Sequence, residues 1–174
     1  MNESWIRGSF WDRAFLHWKK AARQQAEPIA LYRELRAARN ILILPNDRVG
    51  GLFIGASFYK VVRQLYPEAR ITLLVDERKA SIARQIPFAD GLITGALEKP
   101  VWSTAFKRVA DELRRAQFDL SFCVGADCSF RLAQLCSVCG ARIKVGFRRR
   151  GFTPVNIEIV PRTPGIYEGE QYLN

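Results

Sequence analysis

The sequence lacks the features that would place it across a membrane or send it out of the cell. It contains no run of about eighteen consecutive apolar residues, so no segment is expected to span a bilayer. Its beginning also lacks the continuous apolar stretch of a secretory signal, because charged residues interrupt it. These are Arg7, Asp12, Arg13, Lys19 and Lys20. The sequence therefore predicts a cytoplasmic protein, with any membrane contact peripheral and on the inner face of the cytoplasmic membrane.

Histidine is almost absent, and cysteine is confined to one short region. The single histidine, His17, has no acid or nucleophile beside it, and we assign it no catalytic role. Cys136 and Cys139 have the spacing of half a zinc site, and Cys123 with Cys128 would be the other half. Zinc-binding pairs usually lie on turns, whereas these cysteines lie in strand and helix patterns among apolar residues. We therefore expect buried thiols, no metal and no cofactor.

Acidic residues are too few to balance the basic ones. The chain has 27 lysines and arginines against 17 acidic residues, and its net charge is +10. Such an excess favours an anionic partner, which is nucleic acid, a phosphorylated sugar or lipid, or an acidic membrane surface. Composition alone does not choose among them. The sequence shows no recognition helix, zinc finger or aromatic RNA-binding strand, so we rank nucleic acid last and expect none to bind.

Residues 1–39 differ from the rest of the chain. Their aromatic and apolar residues mix with basic ones, as in a helix that lies in a membrane interface. The aromatic and apolar residues are Trp5, Ile6, Phe10, Trp11, Phe15 and Trp18. A helix that packs these side chains on the domain or on a partner has the same pattern. We predict an amphipathic helical extension, with membrane contact through residues 1–25 as one interpretation, and a second helix over about 29–38.

The most informative segment is the first strand together with the turn and helix after it. Ile41 to Leu44 is apolar without alternation, as expected for a strand buried on both faces of a parallel sheet. A polar, glycine-containing turn follows, and then apolar residues recur every three or four positions from Leu52 to Tyr66, which is typical of a helix. This geometry places backbone N–H groups at the carboxyl edge of a sheet, where α/β proteins bind ligands. We expect the functional site at this turn.

From residue 40 onward, strands and helices alternate. The predicted strands after the first are 70–75, 91–94, 118–124, 142–146 and 155–160. The later predicted helices are 77–85, 101–116 and 130–138. Repeated βα units of this size predict a Rossmann-like three-layer α/β/α fold with a mostly parallel sheet. We assign residues 40–174 to this one domain, because the chain length suits a single core.

The motifs of this domain resemble those of a known family. The line ILILPNDRVGG, followed by a helix and then by LYPEARITLLVDERKASIARQIPFADGLITG, is similar to the N-terminal half of the family-nine glycosyltransferases, the lipopolysaccharide heptosyltransferases. Phe118-Asp119-Leu120 resembles the start of one of the family's strands, and GARIKVGFR at residues 140–148 resembles a later family stretch. The resemblance covers residues 40–174, with every element in order.

The resemblance implies a GT-B enzyme of two Rossmann-like halves. The N-terminal half of such an enzyme binds a phosphorylated, lipid-linked sugar acceptor, and the C-terminal half binds the nucleotide-sugar donor. This chain resembles the first half only and ends in what looks like the start of a connecting helix, so we expect a fragment or a truncated gene product. The implied function is ADP-heptose:lipopolysaccharide heptosyl transfer in lipopolysaccharide core biosynthesis, with no transferase activity from this chain alone. The alternative is a non-catalytic module that binds phosphorylated glycolipid or an anionic membrane surface.

One position departs from the family pattern. The family's turn, D-R-I-G-D, ends in an acidic residue that is its expected general base, and Gly51 stands at that position here. Glycine cannot take a proton from the acceptor hydroxyl. Asp47, on the same turn, is the nearest substitute and the catalytic candidate. A turn aspartate that caps the following backbone has the same pattern.

Gly50 and Gly51 have two interpretations. The functional one is close approach of the backbone to an anionic ligand, and the structural one is a turn that needs positive φ and tight packing of strand and helix. Both can hold together.

Asp127, in the loop after the fourth strand, caps the next helix or binds sugar hydroxyls, and capping is the favoured interpretation.

Basic residues near the strand ends form the candidate phosphate-binding set. Arg48 lies in the turn, Lys99 follows the third strand, and Arg131 begins the helix after the fourth. The fifth strand is followed by Arg148, Arg149 and Arg150. Guanidinium groups pair bidentately with phosphate, so these residues would build one anion-binding rim at the carboxyl edge. The alternative is a solvated basic face that maintains solubility.

Overall fold

Six parallel strands form one sheet in the part of the chain that the structure describes. The structure is a computed structural model, and it describes residues 30–45, 49–124, 130–147 and 155–159. The strands are β1 (Asn40–Leu44), β2 (Arg70–Asp76), β3 (Gly91–Gly95), β4 (Leu120–Cys123), β5 (Ile143–Phe147) and β6 (Ile157–Ile159). Their order across the sheet is β3-β2-β1-β4-β5-β6, and every neighbouring pair is parallel. The order reverses between β1 and β4, which is the switch point where open α/β sheets place ligands.

Helices cover both faces of this sheet. In chain order they are α1 (Leu31–Ala37), α2 (Val49–Ile54), α3 (Ala56–Leu65), α4 (Ala80–Ala83), α5 (Thr104–Arg115) and α6 (Phe130–Val138), and a 3₁₀ turn occupies Glu77–Lys79. Side chains of α2, α3 and α4 pack in one apolar cluster, and side chains of α5 and α6 pack in another. The predicted Rossmann-like α/β/α fold with a parallel sheet is confirmed.

β1 contributes to both apolar clusters. Ile41, Leu42 and Ile43 are fully buried, and Leu44 is 1% exposed. Ile41 and Ile43 belong to one cluster, and Leu42 and Leu44 belong to the other, because successive side chains of a strand point to opposite faces. Each such side chain contributes about 1.5–3 kcal/mol relative to an exposed position. Burial on both faces therefore explains why this strand is apolar without alternation.

The helix predicted over 52–66 is interrupted at Gly55, which separates α2 from α3. Hydrogen bonds continue through the break, since the Gly55 N–H donates to the Gly51 carbonyl at 3.0 Å and the Gly55 carbonyl accepts from the Tyr59 N–H at 2.9 Å. A side chain at Gly55 would collide with the hydroxyl of Tyr59, which is itself fully buried. The close packing predicted for this glycine is confirmed.

Two aspartates hold the amino edge of the sheet together. Asp119, just before β4, accepts hydrogen bonds at 2.8 and 2.9 Å from the backbone N–H groups of Arg39 and Asn40 at the start of β1. Asp90, just before β3, accepts from an N–H at the start of β2 at 2.7 Å and from the guanidinium of Arg63. Charged acceptors make strong hydrogen bonds to amides. These contacts position neighbouring strand starts and leave the carboxyl edge available for a ligand.

The N-terminal extension is described only from residue 30 onward. The second helix predicted there is present as α1, and residues 1–25, with their predicted membrane contact, lie outside the described residues. None of the helices that are described has both the length and the apolar character needed to cross a bilayer.

Leu113→Ala is expected to destabilise the fold. Leu113 of α5 is fully buried, so its truncation loses apolar burial and leaves a cavity, at a cost of about 2–5 kcal/mol. Leu65 at the end of α3 is 69% exposed, and Leu65→Ala is the matched control with an expected cost below about 0.5 kcal/mol. Urea unfolding followed by circular dichroism measures both costs. Equal costs would contradict the packing of α5 against the sheet.

Candidate functional site

A cleft of about 140 Å³ lies at the carboxyl edge of the sheet, beside the switch point. Its walls come from the ends of β1 and β2, from α2, from the loop between β3 and α5, and from the start of α6. The lining residues are Pro45, Leu52, Leu74, Val75, Asp76, Arg78, Lys79, Leu97, Glu98, Arg131 and Leu132. Both apolar and charged side chains therefore line this concave site.

One arginine connects two carboxylates along a wall of this cleft. Arg78 Nε donates to Asp76 Oδ1 at 2.7 Å, and Arg78 Nη1 lies 2.8 Å from Glu98 Oε2. The backbone N–H of Arg78 donates to Asp76 Oδ1 at 3.1 Å, and that of Leu97 donates to Asp76 Oδ2 at 3.2 Å. Asp76 ends β2, whereas Leu97 and Glu98 follow β3. The network therefore connects the ends of two neighbouring strands.

Asp76 is held ionised by these partners. Burial by itself would raise the pKa of the Asp76 carboxyl. The hydrogen bonds and the charge of Arg78, with the Leu97 amide, outweigh burial, so the pKa of Asp76 lies below its ordinary value. The hydrogen bond and charge of Asp76, and then the charge of Glu98, raise the pKa of Arg78 in turn. Both oxygens of Asp76 face donors, so Asp76 is suited to orient Arg78 rather than to accept a proton.

Lys79 and Arg131 add positive charge on different walls of the cleft. Among the cleft residues, the ion pairs that the structure describes all involve Arg78. The cationic groups of Lys79 and Arg131 are therefore available to an anionic ligand, and Leu52 and Leu97 offer apolar contact beside them. This arrangement can bind a phosphate or carboxylate through the cations and pack the nonpolar face of a sugar against the leucines.

Arg131 is the predicted basic residue that the structure places in the cleft wall. It lies in the first turn of α6, where the sequence pattern predicted it. Lys99 follows Glu98 in the loop after β3 and has an exposed side chain, but it is not among the residues that line the cleft. A role for Lys99 in phosphate binding stays a prediction.

The conformation predicted for the two glycines of the first turn is wrong in one respect. Gly50 and Gly51 are helical, because α2 already begins at Val49. Positive φ occurs, among the described residues, at Gln117 and Gly140 instead, so it does not explain these two glycines. A Cβ at Gly50 would meet no atom within 4 Å, whereas Gly51 is buried. Close approach of an anionic ligand to this backbone stays a prediction.

Several predicted site residues lie outside the described residues. They are Asp47, Arg48, Asp127, Arg148, Arg149 and Arg150. The candidate base and most of the predicted arginine set are among them. Their roles stay predictions.

Four charged residues of the cleft were not predicted from the sequence: Asp76, Arg78, Lys79 and Glu98. Asp76 carried a usable signal, because it directly follows an apolar strand at its carboxyl end, as the first turn does. Arg78 and Lys79 follow it after one intervening residue, Glu77. The pairing of Arg78 with Glu98 joins two different loops, and no local pattern in the sequence indicates it.

The cysteines that the structure describes are buried as predicted. Cys123 ends β4, and Cys136 lies in α6 with Cys139 directly after that helix. The thiol of Cys139 donates to the Cys136 carbonyl at 3.1 Å. Cys128 lies outside the described residues. In the part of the chain with described structure, no three histidine, cysteine or acidic side chains come together as metal ligands.

Asp76→Asn is expected to destabilise the protein in a pH-dependent way. The amide removes the charge that pairs with Arg78 and turns a donor group toward other donors, at a cost of about 1–3 kcal/mol near pH 7. Because folding lowers the pKa of Asp76, its carboxylate stabilises the fold above the ordinary value of 3.8, and this contribution is lost as the pH falls through the lower folded pKa. The difference in unfolding free energy between wild type and variant is therefore expected to shrink below about pH 4.

Asp111→Asn is the matched control for this measurement. Asp111 lies in an exposed pair with Arg114 at 2.6 Å, and such pairs contribute about 0–1 kcal/mol. Urea unfolding of the three proteins between pH 3 and pH 7 gives the comparison. A cost of Asp76→Asn that stays constant over this range would show that the charge of Asp76 does not stabilise the fold.

No protein-family model matches the chain. A protein of Haemophilus influenzae that carries a provisional glycosyltransferase name is 30% identical over 79 residues, which is 45% of this chain and 22% of that protein. A structure of the glycosyltransferase family 9 from Veillonella parvula is similar with a TM-score of 0.64 and 18% identity, over 78% of this chain and 39% of that one.

Two Escherichia coli enzymes have similar structures. ADP-heptose LPS heptosyltransferase II matches with a TM-score of 0.57 and 18% identity, over 70% of this chain and 35% of its own. Heptosyltransferase WaaC with ADP-2-deoxy-2-fluoro heptose matches with a TM-score of 0.58 and 15% identity, over 76% and 45%. The chain spans less than half the length of each of these relatives. The resemblance that the motifs indicated is thereby confirmed, and the chain has the fold found in glycosyltransferase family 9.

Proposed function

We propose that this chain is the acceptor-binding half of a glycosyltransferase of the ADP-heptose:lipopolysaccharide heptosyltransferase type, acting in lipopolysaccharide core biosynthesis. The observation that carries the proposal is the cleft at the carboxyl edge, where Arg78, Lys79 and Arg131 accompany apolar walls. The similarity of the fold to two heptosyltransferases supports it. The acceptor in this proposal is a phosphorylated, lipid-linked sugar.

The residues of the cleft bind and orient this acceptor. Lys79 and Arg131 contact its phosphate, and Leu52 and Leu97 pack against the sugar. Fixing the acceptor in this way reduces the entropy that the transfer step must lose. The contribution of this chain to catalysis is therefore positioning.

The transfer step needs groups in addition to these. In an inverting transfer, the acceptor hydroxyl attacks the anomeric carbon, the nucleoside diphosphate leaves, and a base takes the hydroxyl proton. Asp76 is held by Arg78 and by the Leu97 amide, and Asp47 on the first turn remains the candidate base. The donor is bound by a second, C-terminal half that this chain does not resemble.

The proposed acceptor also defines where the protein works. A lipid-linked acceptor lies in a membrane surface, so the proposed location is cytoplasmic, with peripheral contact to the inner face of the cytoplasmic membrane. The aromatic and basic residues of segment 1–25 are the proposed contact.

Arg131→Ala is expected to weaken binding of a phosphorylated acceptor about tenfold, because it removes a charge-assisted contact to phosphate. The probe is lipopolysaccharide from a heptose-deficient strain in detergent micelles, and titration calorimetry measures its affinity. Arg108→Ala is the matched control, since Arg108 is exposed on α5 outside the cleft, and its expected effect is below about twofold. Enzymatic removal of the phosphates should weaken binding to wild type as Arg131→Ala does. Equal affinity for the two forms of the probe would contradict the proposal.

The second candidate function is a non-catalytic module that binds phosphorylated glycolipid or an anionic membrane surface. Gly51 favours it, because the position where the family has its expected base carries no side chain and is buried in α2. The net charge of +10 is compatible with either candidate.

Vesicle sedimentation tests this second candidate. We expect the chain to sediment with phosphatidylglycerol vesicles at low salt, to be released by salt, and to lose this binding when residues 1–25 are deleted. Phosphatidylcholine vesicles are the control for charge, and circular dichroism checks that the shortened chain keeps its α/β fold. Undiminished binding of the shortened chain would assign the contact to another surface.

A further inference from the structure

We propose that Arg78 receives the anionic group of the ligand, and that Glu98 is an internal anion that the ligand displaces from it. This inference rests on the proposed function, because it concerns the same cleft. It adds a binding residue that is not among those predicted from the sequence, and it predicts the charge of the group that binds.

The two carboxylates that hold Arg78 are not equivalent. Asp76 is buried at the end of β2 and accepts from the side chain and backbone of Arg78 and from the Leu97 amide. Glu98 is 51% exposed, and its described ion pair is the single contact to Arg78 Nη1 at 2.8 Å. A change of side-chain rotamer can therefore release Glu98 without breaking the contacts of Asp76.

The pair between Arg78 and Glu98 is also weak enough to be replaced. Both side chains are more than half exposed, and ion pairs in that setting contribute little to stability. A phosphate offers several oxygens to the planar fork of a guanidinium and carries more charge than a carboxylate. It therefore competes well for the same nitrogen atoms.

Asp76 prepares Arg78 for this exchange. Its contact to Arg78 Nε fixes the base of the guanidinium, so the Nη groups keep their direction when Glu98 leaves. An oriented guanidinium loses less conformational freedom on binding than a free one. Asp76 is thus a positioning residue, and Arg78 is the binding residue.

The charge of the cleft identifies the class of ligand. The cleft is lined by three cationic side chains, Arg78, Lys79 and Arg131, and by two carboxylates, Asp76 and Glu98, so its net charge is +1. When Glu98 turns away, the net charge of the remaining groups is +2. A phosphate monoester carries nearly two negative charges at neutral pH, whereas a diester carries one. The cleft therefore matches a phosphate monoester.

Glu98→Gln gives a test whose sign distinguishes displacement from a supporting role. If Glu98 competes with the ligand, the variant is expected to bind heptose-deficient lipopolysaccharide about three- to fivefold more tightly than wild type. If Glu98 merely supports Arg78, the variant binds more weakly. Arg78→Ala is expected to bind about tenfold more weakly, and Glu98→Gln should then have no further effect, as a double-mutant cycle requires.

Glu77→Gln is the matched control for charge. Glu77 precedes Arg78 in the 3₁₀ turn and is exposed, but it does not line the cleft. Its substitution removes the same charge beside the same site and is expected to change affinity less than about 1.5-fold. Equal tightening by Glu77→Gln and Glu98→Gln would overturn the inference, because the effect would then be general electrostatics.

Binding of inorganic phosphate tests the inference independently of the proposed function. Its binding is followed by the nuclear magnetic resonance signal of the Arg78 Nε–H group in wild type and Glu98→Gln. Tighter phosphate binding by the variant supports displacement even if lipopolysaccharide does not bind, in which case the proposed function fails alone. Unchanged or weaker phosphate binding by the variant overturns the inference. In that case, lipopolysaccharide binding that depends on Arg131 still supports the proposed function.

Discussion

Burial of β1 on both faces is the constraint on which the rest of the structure depends. Its side chains enter two apolar clusters that helices cover from opposite sides. A strand in that position needs neighbours on both edges, and β2 and β4 pair with it in parallel. Parallel pairing brings the carboxyl ends of the strands to one edge. Asp90 and Asp119 accept hydrogen bonds from neighbouring strands at the amino edge of the sheet. The cleft lies at the opposite, carboxyl edge.

Charge in this cleft is organised by Arg78. Left alone, a buried carboxylate such as Asp76 would be costly, and the guanidinium with the Leu97 amide removes that cost. The same contacts connect the ends of β2 and β3 and orient the guanidinium. Structural and binding roles are therefore combined in one side chain. This combination is why removal of Asp76 and removal of Glu98 are expected to have different consequences, one for stability and one for affinity.

Gly51 is the position at which this sequence departs from the pattern of the family that it resembles. The sequence has its motifs in the order of the family that it resembles, but Gly51, in α2, has no side chain where that resemblance implies a base. Both oxygens of Asp76 accept hydrogen bonds from Arg78 or the Leu97 amide, so Asp76 is not arranged to replace it. Under the proposals above, this chain binds an anionic ligand. That property is common to both functions considered above.

The sequence was most informative where local pattern and burial coincide. The apolar run 41–44, the βα alternation and the buried cysteines followed from periodicity alone, and α6 was predicted with the bounds it has. Arg131 was predicted from its position after a strand, because the carboxyl edge collects such residues. The break at Gly55 was not predicted, and neither was the contact of the Tyr59 hydroxyl with this glycine.

The sequence by itself determined the class of fold, the edge of the sheet at which the cleft lies and the excess of positive charge. Only the tertiary structure decided which charges meet. Asp76 ends β2 and Glu98 lies in the loop after β3, and they share Arg78 as a partner because β2 and β3 are neighbours in the sheet. Contacts between loops depend on strand order and register, which arise from packing of the whole domain. For that reason the ion-pair network of the cleft has no signature in any single segment of the chain.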